Sequence, residues 1–185
     1  MKQRVIASLL AVAIFVSWAS AQDINIIPTP QSVVVSGSGF TLSKHANIGT
    51  LDNELLPVAR YLAEHVSMGI TRSGGAIRLH LDTSLSAEEY RLEVTDSGVD
   101  IFGGAYGGVF NGAVTLLQLL PEGVYGDGCT LPTEVCCCVI EDSPRWSHRG
   151  FMLDVCRTWM DVEAIKEYIE LLAYHKINNL RLHLT

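Results

Sequence analysis

The sequence predicts an α+β domain, a mixed sheet carrying two helices, followed by a parallel strand–helix–strand unit. Three observations predict it. Residues 76–81, 90–94 and 99–102 each alternate apolar and polar side chains, the two-residue period of strands with one solvated face. Residues 52–66 and 109–120 instead repeat apolar positions at three and four, the period of a helix packed along one stripe. The last forty residues read as a short apolar run, an amphipathic helix and a second apolar run. Two strands joined by a crossover helix run parallel.

Along the chain, residues 24–27 and 31–35 are short β-prone runs around Pro28 and Pro30. Ser36, Gly37, Ser38 and Gly39 predict a turn, with further short strands at 40–42 and 46–48. The helix at 52–66 places Leu55, Leu62 and Val66 on one face, widened by Leu56, Ala59 and Ala63, and tolerates Pro57 only near its first turn. Ser73, Gly74 and Gly75 break the pattern. Asp96, Ser97 and Gly98 make a tight hairpin between the strands at 90–94 and 99–102. A glycine-rich stretch at 103–108 leads into the helix at 109–120, and Pro121 stops it. Residues 121–132 read as a loop and 135–140 as a strand. Glu141, Asp142, Ser143 and Pro144 mark the junction, dividing the chain into an α+β domain at 22–141 and a second unit at 142–185.

The N-terminus reads as an export signal over residues 1–21. Lys2 and Arg4 form a basic start, residues 5–18 an apolar stretch, and Ala19, Ser20 and Ala21 a small-residue cleavage site. The apolar stretch falls short of the ~20 residues a membrane span needs, so no transmembrane span is expected in the mature chain. Export, to the periplasm or the medium, follows as an expectation. The chain has 185 residues, 48% apolar and 18% charged, with a formal charge of −7. That composition supports a packed core, and the absence of a basic patch argues against nucleic acid. The glycine-rich stretch lacks the G-x-G-x-x-G register and a following lysine, so nucleotide binding is not expected. Six scattered histidines and five cysteines show no metal-ligand spacing, so neither a metal nor another cofactor is expected. Cys136, Cys137 and Cys138 read as small buried residues of a strand.

The second unit carries the chemistry. Residues 149–155 form the first strand, an apolar run with Asp154 embedded in it, and Arg157 follows at its C-terminal end. Asp161 caps the helix, and Val162, Ile165, Ile169 and Leu172 make its apolar stripe. Residues 177–184 form the second strand, carrying His183. The pattern Arg149-Gly-x-x-x-Asp154-x-x-Arg157, then Lys176-x-Asn178, then His183-Leu184, resembles the opening of the catalytic barrel of family-20 glycoside hydrolases, the β-N-acetylhexosaminidases. Residues 22–141 resemble the small domain that precedes that barrel. Ile27-Pro-x-Pro30, Glu89-Tyr-Arg-Leu and Gly112-x-x-Thr115-Leu-x-Gln118-Leu-Leu120 carry this second likeness.

The resemblance implies the start of a (β/α)8 TIM barrel, cut after its second strand, and a whole protein that releases terminal β-linked N-acetylhexosamine from glycans. In that reaction the sugar's own 2-acetamido oxygen attacks the anomeric carbon, an Asp orients the acetamido group and an adjacent Glu protonates the leaving oxygen. That pair belongs later in the barrel, so the resemblance assigns no catalytic residue to this chain and implies that residues 1–185 alone are inactive. It makes Arg157 a ligand for sugar hydroxyls; the competing reading is a salt bridge to Asp154. Asp154 either orients Arg157 or braces the barrel. His183 stands behind the site or is a satisfied core histidine. Arg149, at the opposite end of its strand, reads as structural. Thr158 and Arg181 stand where the family usually has histidine, which bears on substrate preference. The alternative is a non-catalytic carbohydrate-binding or scaffolding protein.

Overall fold

The computed structural model describes residues 24–121 and 130–185. The export signal expected at 1–21 and Cys129 lie outside these residues. Seven strands form one mixed sheet: β1 (Ser32–Leu42), β2 (Asn47–Thr50), β3 (Gly69–Thr71), β4 (Ile77–Leu81), β5 (Tyr90–Thr95), β6 (Gly98–Gly103) and β7 (Thr133–Asp142). Their order across the sheet is β1-β7-β5-β6-β4-β2-β3. The strands β3, β2, β4 and β6 run parallel to one another, whereas β5 is antiparallel to β6 and β7, and β1 to β7. Two helices, α1 (Leu56–Val66) and α2 (Tyr106–Leu119), complete the α+β domain, α1 being preceded by a 3-10 turn at Asn53–Leu55.

The alternation in the sequence sorts the faces as expected. Ile77, Leu79, Tyr90, Leu92, Val94, Val99 and Ile101 are buried in the core with the helices. The intervening Arg78, Arg91, Glu93 and Asp100 form the outer face, where Arg78 and Asp100 sit directly opposite and pair. Helix α2 lies so close to the sheet that a Cβ at Gly112 would stand 2.5 Å from Ile101 Cγ2 and 3.2 Å from the Tyr90 ring. Only glycine admits that approach.

Two sequence expectations are corrected, and one strand was not anticipated. Residues 24–27 are not a strand. The turn expected at 36–39 is absent; the segment lies inside the eleven-residue β1. Gly37 adopts a left-handed φ of 77° there, and the pairing with β7 shifts between Val35 and Gly39. The glycines thus let the strand absorb extra residues as a bulge rather than reverse. Strand β3, three residues long, is too short to carry a period in the sequence.

The second unit is a parallel pair, β8 (Gly150–Asp154) and β9 (Asn179–His183), joined by α3 (Val162–Tyr174). Asp161 caps α3, its Oδ1 accepting the Ala164 N–H at 2.8 Å. In β8 only Leu153 is buried, and Phe151 and Met152 are 38% and 56% exposed. Val162 and Ile169 of the α3 stripe are 63% and 47% exposed. Two strands and one helix leave few surfaces to cover them.

The unit is fastened to the sheet domain at one end by polar contacts. Arg149, just before β8, donates from Nη2 and Nη1 to the two Glu88 carboxylate oxygens at 2.7 and 3.1 Å. The structural pairing expected for Arg149 is therefore made with the preceding domain. Lys176, just before β9, is 6% exposed; its Nζ donates to the Tyr90 hydroxyl at 2.9 Å and lies 3.3 Å from Asp142 Oδ2. Gln118 of α2 donates to the Tyr174 carbonyl at 2.9 Å.

Candidate functional site

The three residues singled out in the second unit come together at the C-terminal ends of β8 and β9. Asp154 and His183 are register partners across the parallel pair. Asp154 Oδ1 accepts the backbone N–H groups of Cys156 and Arg157, both at 3.1 Å, so the carboxylate folds the chain sharply as it leaves the strand. The same carboxylate stands 3.5 Å from Arg157 Nε and 3.5 Å from His183 Nδ1. Asp154 thus holds the Arg157 backbone directly and its guanidinium loosely.

Arg157 itself is 85% exposed. Its Nε faces Asp154, and its two terminal nitrogens have no protein partner among the described residues. An ion pair this exposed contributes little stability. The fork of N–H donors is therefore held at its root and open at its tip, the arrangement that grips paired hydroxyls or a carboxylate. Arg149 is at the other end of β8 and takes no part. Thr158 is exposed, as is Arg181, which sits opposite Met152 in the β8–β9 register.

The chemistry this cluster offers is recognition. It presents one carboxylate, whereas hydrolysis of a glycoside by enzyme groups alone takes two. Among the described residues no group of three His, Cys, Asp or Glu side chains is placed to hold a metal ion. Nor is any described helix long and apolar enough to cross a membrane. A separate cavity of about 190 Å³ lies at the ends of β2 and β4, lined by Thr50, Asp52, Arg72, Arg78 and His80. Its guanidinium groups are already engaged, Arg78 with Asp100 and Arg72 with Asn53.

Sequence reasoning missed a buried polar network at the opposite, N-terminal end of the β8–β9 pair. The Tyr90 hydroxyl lies 2.7 Å from Thr115 Oγ1 and 3.4 Å from Asp142 Oδ2, besides its bond from Lys176. Burial, reinforced by the Asp142 charge, pushes the Tyr90 hydroxyl far above the usual phenol range. Burial also lowers the Lys176 pKa, against the pull of Asp142. Nearby, the hydrogen bond from Arg149 holds the Glu88 carboxyl below the usual range despite its partial burial. Lys176 and Asn178 were visible as a motif, but nothing local in the sequence pairs them with residues about 90 positions earlier, such as Tyr90 and Glu88.

Comparison with known proteins places these two units in order. Residues 23–143 match the model of glycosyl hydrolase family 20, domain 2, and residues 146–185 match that of the glycosyl hydrolase family 20 catalytic domain. The chain is 39% identical over 177 residues to a β-hexosaminidase of Porphyromonas gingivalis, covering 89% of this chain and 23% of that one. It is 35% identical over 179 residues to a β-N-acetylhexosaminidase of Cellulomonas fimi, covering 88% and 35%. The solved N-acetyl-β-hexosaminidase of Streptomyces plicatus, in complex with Thio-NAglucal, superposes with a TM-score of 0.81 at 36% identity, over 86% of this chain and 34% of that one. The chain thus spans about a quarter to a third of the length of these relatives.

Proposed function

The chain belongs to glycoside hydrolase family 20, and from that premise we propose that it supplies the N-terminal domain and the first βαβ unit of the catalytic barrel of an exported β-N-acetylhexosaminidase. The whole protein removes terminal β-linked N-acetylhexosamine from glycans with retention, the substrate's own acetamido oxygen acting as nucleophile. That route needs no enzyme nucleophile, which suits a site whose β8–β9 end offers one carboxylate and a guanidinium. The paired β8 and β9 are the first two strands of a (β/α)8 barrel, and in such barrels the C-terminal strand ends line the active site.

The observation that carries the proposal is the position of Arg157 within the family match. It follows the first strand, rooted on Asp154 and open at its tip. Its role is to hold hydroxyls of the N-acetyl sugar at the point of cleavage. In the sequence no Asp is followed directly by a Glu, so the groups that orient the acetamido oxygen and protonate the leaving group are not among these residues. Export rests on Lys2, Arg4, the apolar stretch and Ala19-Ser20-Ala21.

The test is made in the whole reading frame, on a chromogenic N-acetyl-β-glucosaminide. Arg157→Ala is expected to lower kcat/KM by about 30- to 160-fold, the loss of one charge-assisted hydrogen bond of roughly 2–3 kcal/mol, with unfolding unchanged. Wild-type turnover of the substrate with an indifferent Arg157→Ala variant would overturn the role of Arg157. No turnover by the wild type would overturn the hydrolase reading.

A further inference from the structure

The register of β8 against β9 decides whether Asp154 faces His183, and the unit's own apolar pattern does little to set it. Register is strongly specified where one face of a strand is buried and weakly where both are open. Here Phe151, Met152 and Leu182 are 38%, 56% and 39% exposed. Yet a slip of one residue would turn every β9 side chain to the other face and take His183 away from Asp154.

The specifying contacts lie at the opposite end of the pair. The Arg149 carbonyl accepts from both Asn178 and Asn179, at 3.0 and 3.1 Å. Arg149 Nε donates to the Lys176 carbonyl at 2.7 Å, and the Arg149 N–H donates to Asn178 Oδ1 at 3.0 Å. These bonds tie residue 149 to residues 176–179. They are held in turn by the sheet domain. Glu88 receives both terminal nitrogens of Arg149 and also Asn178 Nδ2 at 3.2 Å. Tyr90 and Asp142, directly opposite each other on β5 and β7, receive the Lys176 ammonium, and Thr115 of α2 braces Tyr90 from behind. Lys176 takes a left-handed φ of 56° as the residue that ends α3, its N–H donating to the Ala173 carbonyl and the Ile177 N–H to that of Leu172, and this helix ending aims its side chain at the pocket.

We propose that the sheet-domain edge formed by Glu88, Tyr90, Thr115 and Asp142 is a template for the N-terminal ends of β8 and β9, with Lys176 as the keyed residue that fixes their register. Lys176 is then a positioning residue for Asp154, His183 and Arg157, which lie a strand length away, about 16 Å at 3.3 Å per residue. The partner of this surface is a βαβ unit that presents an arginine before its first strand and a lysine before its second. A merely adhesive interface would not need the bonds that cross from residue 149 to residues 176–179. The consequence for sugar binding rests on the hydrolase reading; the register does not.

The experiment uses the isotope-labelled chain and no sugar, so it can fail independently of that reading. Amide exchange of β8 and β9 is compared with that of β5 and β6, and the cross-strand proton contact between Asp154 and His183 is followed. Lys176→Met keeps the stem and removes the ammonium; Asp142→Asn and Glu88→Gln keep shape and remove charge. Asp100→Asn, which breaks the Arg78 pair on the sheet's outer face, is the control. Each of the first three is expected to accelerate β8–β9 exchange at least tenfold with under threefold change in β5–β6, and to weaken the Asp154–His183 contact. The control is expected to leave that contact intact. If Lys176→Met fails to fold, the other two variants decide on the same readouts. An unchanged β8–β9 pair, or equal acceleration of all four strands in the variants and the control, would overturn the template.

Discussion

Tyr90→Phe is the sharpest probe of the buried polar network, because it removes one oxygen and leaves the ring in place. The ring is 1% exposed and belongs to the core, so its packing is retained. The lost hydroxyl receives a hydrogen bond from Lys176 at 2.9 Å and shares one with Thr115 at 2.7 Å. A hydrogen bond to a charged group is worth roughly 1.5–3 kcal/mol, and a buried partner left unsatisfied costs about 1–3 kcal/mol. Lys176 keeps Asp142, which offsets part of the loss, whereas Thr115 is fully buried and loses its side-chain partner. The expected cost is therefore about 2–3 kcal/mol. With a urea slope of about 2 kcal/mol/M, the midpoint followed by circular dichroism falls by roughly 1–1.5 M at unchanged slope. Thr115→Val added to Tyr90→Phe should cost little more, since the two groups already share one bond. A Tyr90→Phe midpoint within about 0.2 M of wild type would refute the reasoning, and so would strict additivity with Thr115→Val.

Two further outcomes follow. Gly112→Ala places a Cβ against Ile101 and the Tyr90 ring; overpacking of about 1–3 kcal/mol outweighs a helix-propensity gain of about 1 kcal/mol, so calorimetry should show a lower Tm, and a raised one would mean α2 has room to move. Stability should also depend on pH in two windows. Glu88, whose native pKa is lowered by Arg149, stabilises above about pH 4.3 and loses that contribution as pH falls through its lowered value. The urea-midpoint difference between wild type and Glu88→Gln should therefore shrink below that pH, and a constant difference down to pH 3 would contradict it. Lys176, whose native pKa is lowered, acts the other way: up to about 10.4 the unfolded chain binds the extra proton, so stability climbs with pH until the raised Tyr90 pKa reverses the trend near pH 10.

What the sequence made legible was local. Period two exposed β4, β5 and β6; period 3.6 exposed α1, α2 and α3; Asp161 announced a cap that the structure supplies. Arg157, Asp154 and His183 were singled out through the resemblance of their motif to the family's barrel, and the structure brings the three together at the ends of β8 and β9. What escaped had no local signature. The bulge in β1 reads as a turn because glycine and serine serve both, and only the pairing with β7 decides. Glu88, Tyr90 and Asp142 look like ordinary positions of an alternating sheet; their partners are fixed by a packing arrangement no short window contains. The apolar runs of β8 and α3 mark strand and helix but not burial, since an apolar side chain is buried only if a surface exists to meet it.

The pairing of β1 with β7 sets a schedule for the chain's emergence from the ribosome. Leu42 lies opposite Thr133, and among the described residues no other strand flanks β1. The first strand made is thus joined to the sheet only by the last, after some ninety intervening residues. At about 5–20 residues per second that is a wait of roughly 5–20 s. Throughout it Val33, Val34 and Val35 have no neighbour, and the sheet lacks its outermost pair.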